Sequence, residues 1–233
     1  MKFFLPLFLC LFVSNQYLVG QNPTQEDSTK TEELNQVVVT ATRSEKLLSE
    51  VPIPMTVIDE EQIQEMGSLR LSEVLIEQTG LTLLQDHGQG IQIQGFDPDY
   101  TLILIDGEPI IGRVAGTLEL SRIAVGNIER IEIIKGASSS LYGSEALAGV
   151  INIITKNPNG TSVELSARYG TNQTTDFGIS LQTRKNKLSV TAFANRYGSE
   201  GYDFTPETFG QTVEPFHNYT FQSKIAYDFT DKI

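Results

Sequence analysis

Apolar positions along this chain fall into three rhythms, and each predicts a different kind of structure. The first is a nearly unbroken apolar run from Phe3 to Val13, preceded by Lys2. A helix that spans a bilayer needs about 20 such residues, so this run is too short. A positive start followed by a short apolar core fits a secretory signal peptide over residues 1–20. A cut after Gly20 is expected, within several positions, because Leu18 is a poor residue for the third position before it. Gln21 to Leu34 then holds Glu26, Asp27, Glu32 and Glu33 and too little apolar content to fold. A flexible tether over 21–50 is expected, carrying one β-prone patch, Val37-Val38-Val39-Thr40-Ala41.

The second rhythm is mixed and covers residues 51–157. Met55 to Ile58 reads as a short strand. Asp59-Glu60-Glu61-Gln62 has capping-box spacing, which predicts a helix from Asp59 to Gly67. A second helix is expected over about Leu69–Gln78, stopped by Gly80. Strands follow at Leu81–Leu84, Ile91–Gln94 and Thr101–Ile105, the last running into the turn dipeptide Asp106-Gly107. Ile128–Ile134 and Val150–Thr155 complete a small unit of strands and short helices.

The third rhythm begins after Asn157-Pro158-Asn159-Gly160 and has period two. Val163, Leu165, Ala167 and Tyr169 alternate with Ser162, Glu164, Ser166 and Arg168. Phe177, Ile179 and Leu181 alternate with Gly178, Ser180 and Gln182. Leu188 to Asn195 alternates less cleanly, because Phe193 falls on the polar side. Tyr219, Phe221, Ile225, Tyr227 and Phe229 share one face. Four antiparallel strands are predicted, long enough to cross a bilayer when tilted. Arg184-Lys185-Asn186-Lys187 is a tight turn, and Gly198 to Asn218 a long loop, the alternation of outer-membrane barrels. A soluble sandwich has the same alternation. A charged face (Glu164, Arg168, Lys224, Asp228) opposite an aromatic one favours the barrel. Four strands close no barrel, which takes at least about eight. The chain is therefore expected to be a fragment or truncated product of a longer protein.

Composition narrows the function. The net charge of −12 over 233 residues argues against nucleic-acid binding. Cys10, the single cysteine, lies in the predicted leader, so no disulfide or thiolate metal site is expected after cleavage. Gly143-Ser144-Glu145-Ala146 is not a nucleophile elbow, and Gly88-Gln89-Gly90 lacks the third glycine of a dinucleotide fingerprint. With only two histidines, catalysis is not expected, and neither a cofactor nor a resident metal.

Three blocks carry a family resemblance. Ile93-Gln94-Gly95-Phe96 precedes Leu102-Ile103-Leu104-Ile105-Asp106-Gly107-Glu108-Pro109. Residues 128–155 hold Ile128-Glu129-Arg130-Ile131-Glu132-Ile133-Ile134-Lys135-Gly136 and later Leu141-Tyr142-Gly143-Ser144. With the Val37 patch, these blocks resemble the N-terminal third of TonB-dependent outer-membrane receptors. The resemblance implies an α+β plug domain over 51–157, a small mixed sheet with short helices, followed over 161–233 by the first four antiparallel strands of an incomplete transmembrane β-barrel. It implies uptake of a scarce nutrient, most commonly a ferric siderophore, with cobalamin, haem and oligosaccharide open. A plug fragment that binds TonB without transport is the alternative.

Roles follow residue by residue. Val37, Val38, Val39, Thr40 and Ala41 resemble the TonB box, which the energy-coupling protein TonB grips. Physically, an extended segment on a tether suits strand addition, with an ordinary first strand of the plug as the alternative. Asp86, His87, Gln89 and Arg113 lie where plug loops of the family meet substrate. Glu129, Arg130 and Glu132 are expected to face the polar barrel wall. Asp106-Gly107 is assigned no chemistry. The expected partners are TonB, outer-membrane lipid and a metal chelate or similar small molecule. Gln94 stands where the family commonly has Arg, and Ala137 where it commonly has Pro.

Overall fold

The computed structural model describes residues 37–40, 44, 46–51, 53–85, 89–110, 118–136, 139–207 and 209–229. The predicted leader, most of the tether, and Ala41, Asp86, His87 and Arg113 lie outside the described residues. The described chain opens with two short strands, β1 (Val37–Val38) and β2 (Lys46–Leu47), which pair antiparallel in a sheet of their own.

β3 (Met55–Asp59) runs into α1 (Glu60–Met66) through the capping box that the spacing predicts. Gln62 N donates to Asp59 Oδ1 at 2.9 Å, and Asp59 N donates to Gln62 Oε1 at 3.3 Å. Gly67 ends the helix at φ 68°, left-handed backbone that other residues adopt only with strain. α2 (Leu71–Ile76) is shorter than the helix expected over Leu69–Gln78. Its start is set by Glu73, whose Oε2 accepts from Leu69 N at 2.6 Å and from Arg70 N at 3.3 Å. Arg70 is left extended as the N-cap, with its side chain free to reach away from the helix.

β4 (Leu81–Gln85) and β5 (Gln89–Ile93) form a hairpin. β6 (Thr101–Ile105) turns into β7 (Glu108–Pro109) through Asp106 at φ 49° and Gly107 at φ 85°. Two successive positive φ values are what a two-residue hairpin turn requires. β8 (Ile128–Lys135), α3 (Ser139–Tyr142) and β9 (Gly149–Thr155) follow. The main sheet has the order β3-β8-β9-β6-β7, with β6 and β9 parallel and the other pairs antiparallel.

Period-two alternation divides this sheet into two faces. Ile131, Ile133, Ile151, Ile153 and Ile103 join Ile63, Leu71, Val74 and Leu75 in the principal core. Each such side chain, fully buried, is worth about 1.5–3 kcal/mol. The other face carries a smaller cluster of Leu102, Leu104, Ala146 and Val150. In the same row, Glu132 pairs across to Asn152, and Asn152 to Leu104. Two polar side chains thus stand on a buried face.

β10 (Ser162–Gly170), β11 (Thr174–Lys185), β12 (Leu188–Ser199) and β13 (Phe216–Tyr227) form one antiparallel sheet in chain order. Its faces decide between sandwich and barrel. Leu165, Tyr169, Tyr219, Phe221 and Ile225 are 73–76% exposed. Asp176, Ser180, Gln182, Thr191 and Asn195 are buried on the opposite face. A soluble sandwich would bury the aromatic face. This sheet turns its polar face to the plug, as an outer-membrane wall does. It is open, with β10 and β13 at its edges. The turn between β11 and β12 is only Asn186-Lys187, since Lys185 pairs with Leu188. At the other end a three-residue turn (171–173) and a long loop (200–215) connect the strands.

Candidate functional site

The N-terminal segment lies in a bed of side chains on the second face of the plug sheet. Val38 and Thr40 are both fully buried. Val39 N donates to Glu132 Oε2 at 3.0 Å, and Thr40 N to the same oxygen at 2.8 Å. Thr40 Oγ1 donates to it at 2.5 Å. Asn152 Nδ2 donates to Thr40 Oγ1 at 2.9 Å, and Tyr142 Oη donates to Thr40 O at 2.9 Å. Arg130 Nε donates to Glu132 Oε1 at 2.9 Å, and Arg130 Nη1 to Glu129 Oε1 at 2.6 Å. Glu132, Tyr142 and Asn152 all come from the 128–155 block.

The hydrogen bonds and ion pairs described for Glu129, Arg130 and Glu132 run within the plug and to residues 39–40. Alternation puts Glu132 on the sheet face opposite the helices, and that face is covered by the N-terminal segment. Among the described residues, Val37 and Val38 pair with Leu47 and Lys46, in a sheet apart from the main plug sheet. Gln89 opens β5.

The plug meets the wall through other residues. Arg70, at the start of α2, forms a buried ion pair with Asp176 on β11. Its Nη1 donates to Asn195 Oδ1 at 3.0 Å, and its guanidinium lies 4.0 Å from the centre of the Tyr197 ring. Asn195 Nδ2 donates to Asp176 Oδ1 at 2.8 Å, closing the network. Burial lowers the Arg70 pKa from its ordinary value, against the opposing pull of the Asp176 charge. Lys156 bridges Glu60 of α1 and Glu164 of β10, each at 2.8 Å. Burial lowers its pKa, but the hydrogen bonds to Glu164 and Glu60, with their charges, outweigh this and leave it raised. Lys224 of β13 reaches Asp106 Oδ2 at 3.1 Å. Asp106 also accepts from Thr155 N at 2.9 Å and Thr155 Oγ1 at 2.6 Å, so the turn that had no assigned chemistry is a tie to the wall.

Between these ties a cavity of about 340 Å³ is lined by Ile63, Ile128, Lys156, Asp176 and Phe193, among others. Phe193 explains its place on the polar face. It is 3% exposed and packs on Gly126, where an added Cβ would lie 2.9 Å from its ring.

Comparison with known proteins fits this architecture. Residues 48–150 match the family model described as the TonB-dependent receptor plug domain. The chain belongs to the TonB-dependent receptors. The vitamin B12 transporter BtuB of Vibrio vulnificus is 39% identical over 166 residues, covering 68% of this chain and 26% of that protein. The chain thus spans about a quarter of the length of that curated relative. Pseudomonas aeruginosa FpvA, solved with bound pyoverdine, matches at TM-score 0.70 and 19% identity, over 87% of this chain and 27% of that one. The siderophore receptor PirA of Acinetobacter baumannii matches at TM-score 0.63 and 25% identity, over 76% and 29%.

In receptor terms, sequence reasoning found the plug and its wall but missed the residues that join them. Arg70, Asp176, Asn195 and Lys156 were not singled out. Asp176 had a visible signal, as a charge in line with Gly178, Ser180 and Gln182 on the polar face of its strand. Phe193 was visible as a misfit. Arg70 had none, since a lone arginine before an apolar helix reads as a solvated cap.

Proposed function

We propose that this chain is the plug and first wall strands of an outer-membrane receptor for active uptake of a scarce nutrient. Residues 1–20 direct export. The coupling protein TonB pairs with residues 37–41 by strand addition, and energy delivered through that segment moves the plug to open a path. The observation that supports this best is the placement of residues 37–40. They form no part of the main plug sheet, yet dock on it through side-chain contacts that can be exchanged without unfolding it.

A corrinoid is the substrate class we place first. A vitamin B12 transporter is 39% identical to this chain over 166 residues. A ferric siderophore is the second reading, on the strength of those structural neighbours. The test is uptake of labelled cyanocobalamin, and separately of ferric siderophores, by cells that depend on the whole receptor carrying this chain. TonB-dependent cobalamin uptake, abolished by deleting 37–41, is expected. Siderophore uptake instead would replace the corrinoid reading, and uptake unaffected by TonB would overturn the coupling.

A further inference from the structure

On the side of the wall turned away from the plug lies an apolar groove of about 460 Å³. Ala194 of β12 is its floor. Phe177 and Ile179 of β11 rise on one side, and Tyr219 and Phe221 of β13 on the other. Strand register explains the shape. Ile179 stands across from Ala194, and Ala194 from Phe221, so a single methyl group separates two rows of large side chains. These strands pair with one another, so the groove is complete within this sheet.

Arg196 closes one end of the groove. β12 runs from the two-residue turn to the long loop, so that end faces the cell exterior. Arg196 stands eight residues beyond Leu188. A strand tilted by about 40° rises roughly 20 Å across the bilayer over that length. The guanidinium therefore lies near the upper edge of an apolar band about 25 Å tall. Among the described residues of β10–β13, the outward rows hold one other lysine or arginine, Lys185 at the turn end, and no carboxylate.

A long arginine near the membrane surface ordinarily turns its head out to water. Here the head is held by neighbours on the wall. Arg196 Nη1 donates to Thr175 Oγ1 at 3.1 Å, and Nη2 to His217 Nδ1 at 3.3 Å. A guanidinium cannot accept, so His217 Nδ1 accepts and its Nε2 carries the ring hydrogen. Gly198 makes room for that ring, since an added Cβ would lie 2.5 Å from His217 Nδ1. Both partners are neutral, and among the described residues Arg196 has no ion pair.

A fixed, uncompensated cation at the outer end of an apolar groove matches an acyl chain that ends in a phosphate. We propose that the groove binds an outer-leaflet lipid, with one acyl chain on Ala194 and the headgroup phosphate on Arg196 and His217. Arginine keeps further N–H donors, in a planar fork that fits phosphate oxygens. The His217 Nε2 hydrogen adds another donor. The site belongs to the wall and is independent of what the receptor imports.

The test uses the whole receptor carrying this chain, in detergent micelles, with the first bound lipid followed by native mass spectrometry. The probes are dioleoyl phosphatidylglycerol, dioleoylglycerol and inorganic phosphate. Phosphatidylglycerol should bind at least about fivefold more tightly than dioleoylglycerol, the worth of one arginine at an anionic surface. Arg196→Gln should erase that difference. Ala194→Phe should fill the floor and weaken both lipids, and Ala194→Leu repeats the test if the larger side chain hinders assembly. Equal binding of the two lipids by the parent, or unchanged binding in the variants, would overturn the site. Displacement of phosphatidylglycerol by an equal concentration of inorganic phosphate would overturn it as well, because the chain would then contribute nothing. A receptor dimer that Ala194→Phe separates, with no lipid retained, would give the groove to a second copy instead. Failure of the uptake reading shows separately, in the cobalamin and siderophore assays.

Discussion

Arg70 carries the most deeply buried ion pair described between plug and wall. Its guanidinium and Asp176 are both buried, with side chains 3% and 7% exposed. Exposed pairs such as Arg184–Asp228 are worth about 0–1 kcal/mol, because water and salt compete for both groups. Removing one member of a buried pair is different, since it leaves the other charge desolvated and alone, at about 3–5 kcal/mol. Arg70→Met should therefore destabilise plug docking by about that amount, and Asp176→Leu similarly. The double variant should lose much less than the sum, because no orphan charge remains. Midpoints of urea-induced plug release measure all three. Strictly additive losses would mean that the two side chains do not pair in the receptor.

At the scale of elements, Lys156 is the joint where β9 leaves the plug, linking α1 and β10 through Glu60 and Glu164. Its pKa is raised in the folded chain, so the ammonium is favoured by folding. That stabilisation is present in full below the ordinary lysine value of 10.5 and is lost as pH climbs through the raised value. Proteolysis at residues 157–161 should therefore rise steeply above that point, and Lys156→Met should flatten the rise. An identical alkaline profile in the variant would assign the effect to another group. Elements of this kind were legible where a local rule decides them. The Asp59–Gln62 box, the Gly67 stop, the Asp106-Gly107 turn and the aromatic face of β13 each follow from spacing within a few residues. Partners were not legible, because alternation assigns a side chain to a face and says nothing of what covers it. Nothing in the spacing of Glu132 announced that it would hold Thr40. Helix α2 was expected two residues too early and too late, because Glu73 caps Leu69 and Arg70 from inside.

Across the whole molecule, strand pairing is graded from the N-terminal segment inward. β1 and β2 share two residue pairs and stand outside the main sheet. β3 is an edge strand, paired only with β8. β9 is paired on both sides, and all seven of its residues are buried. Local opening free energies follow such a gradient, from near zero at weakly held segments to the global value in core strands. Native-state hydrogen exchange of the receptor without TonB should therefore resolve three classes. Amides of residues 37–40 and 46–47 exchange first, β3 next, and β8 and β9 last. Glu132→Gln should accelerate the first class alone, since Ile131, Ile133, Ile151 and Ile153 hold the last. Under the proposed coupling, a pull on residues 37–40 meets these classes in the same order, and meets the Arg70–Asp176 pair only after β3 and α1. If β3 and β9 exchange together, the plug opens as a single unit. Only residues 37–40 and 46–47 would then open ahead of the rest.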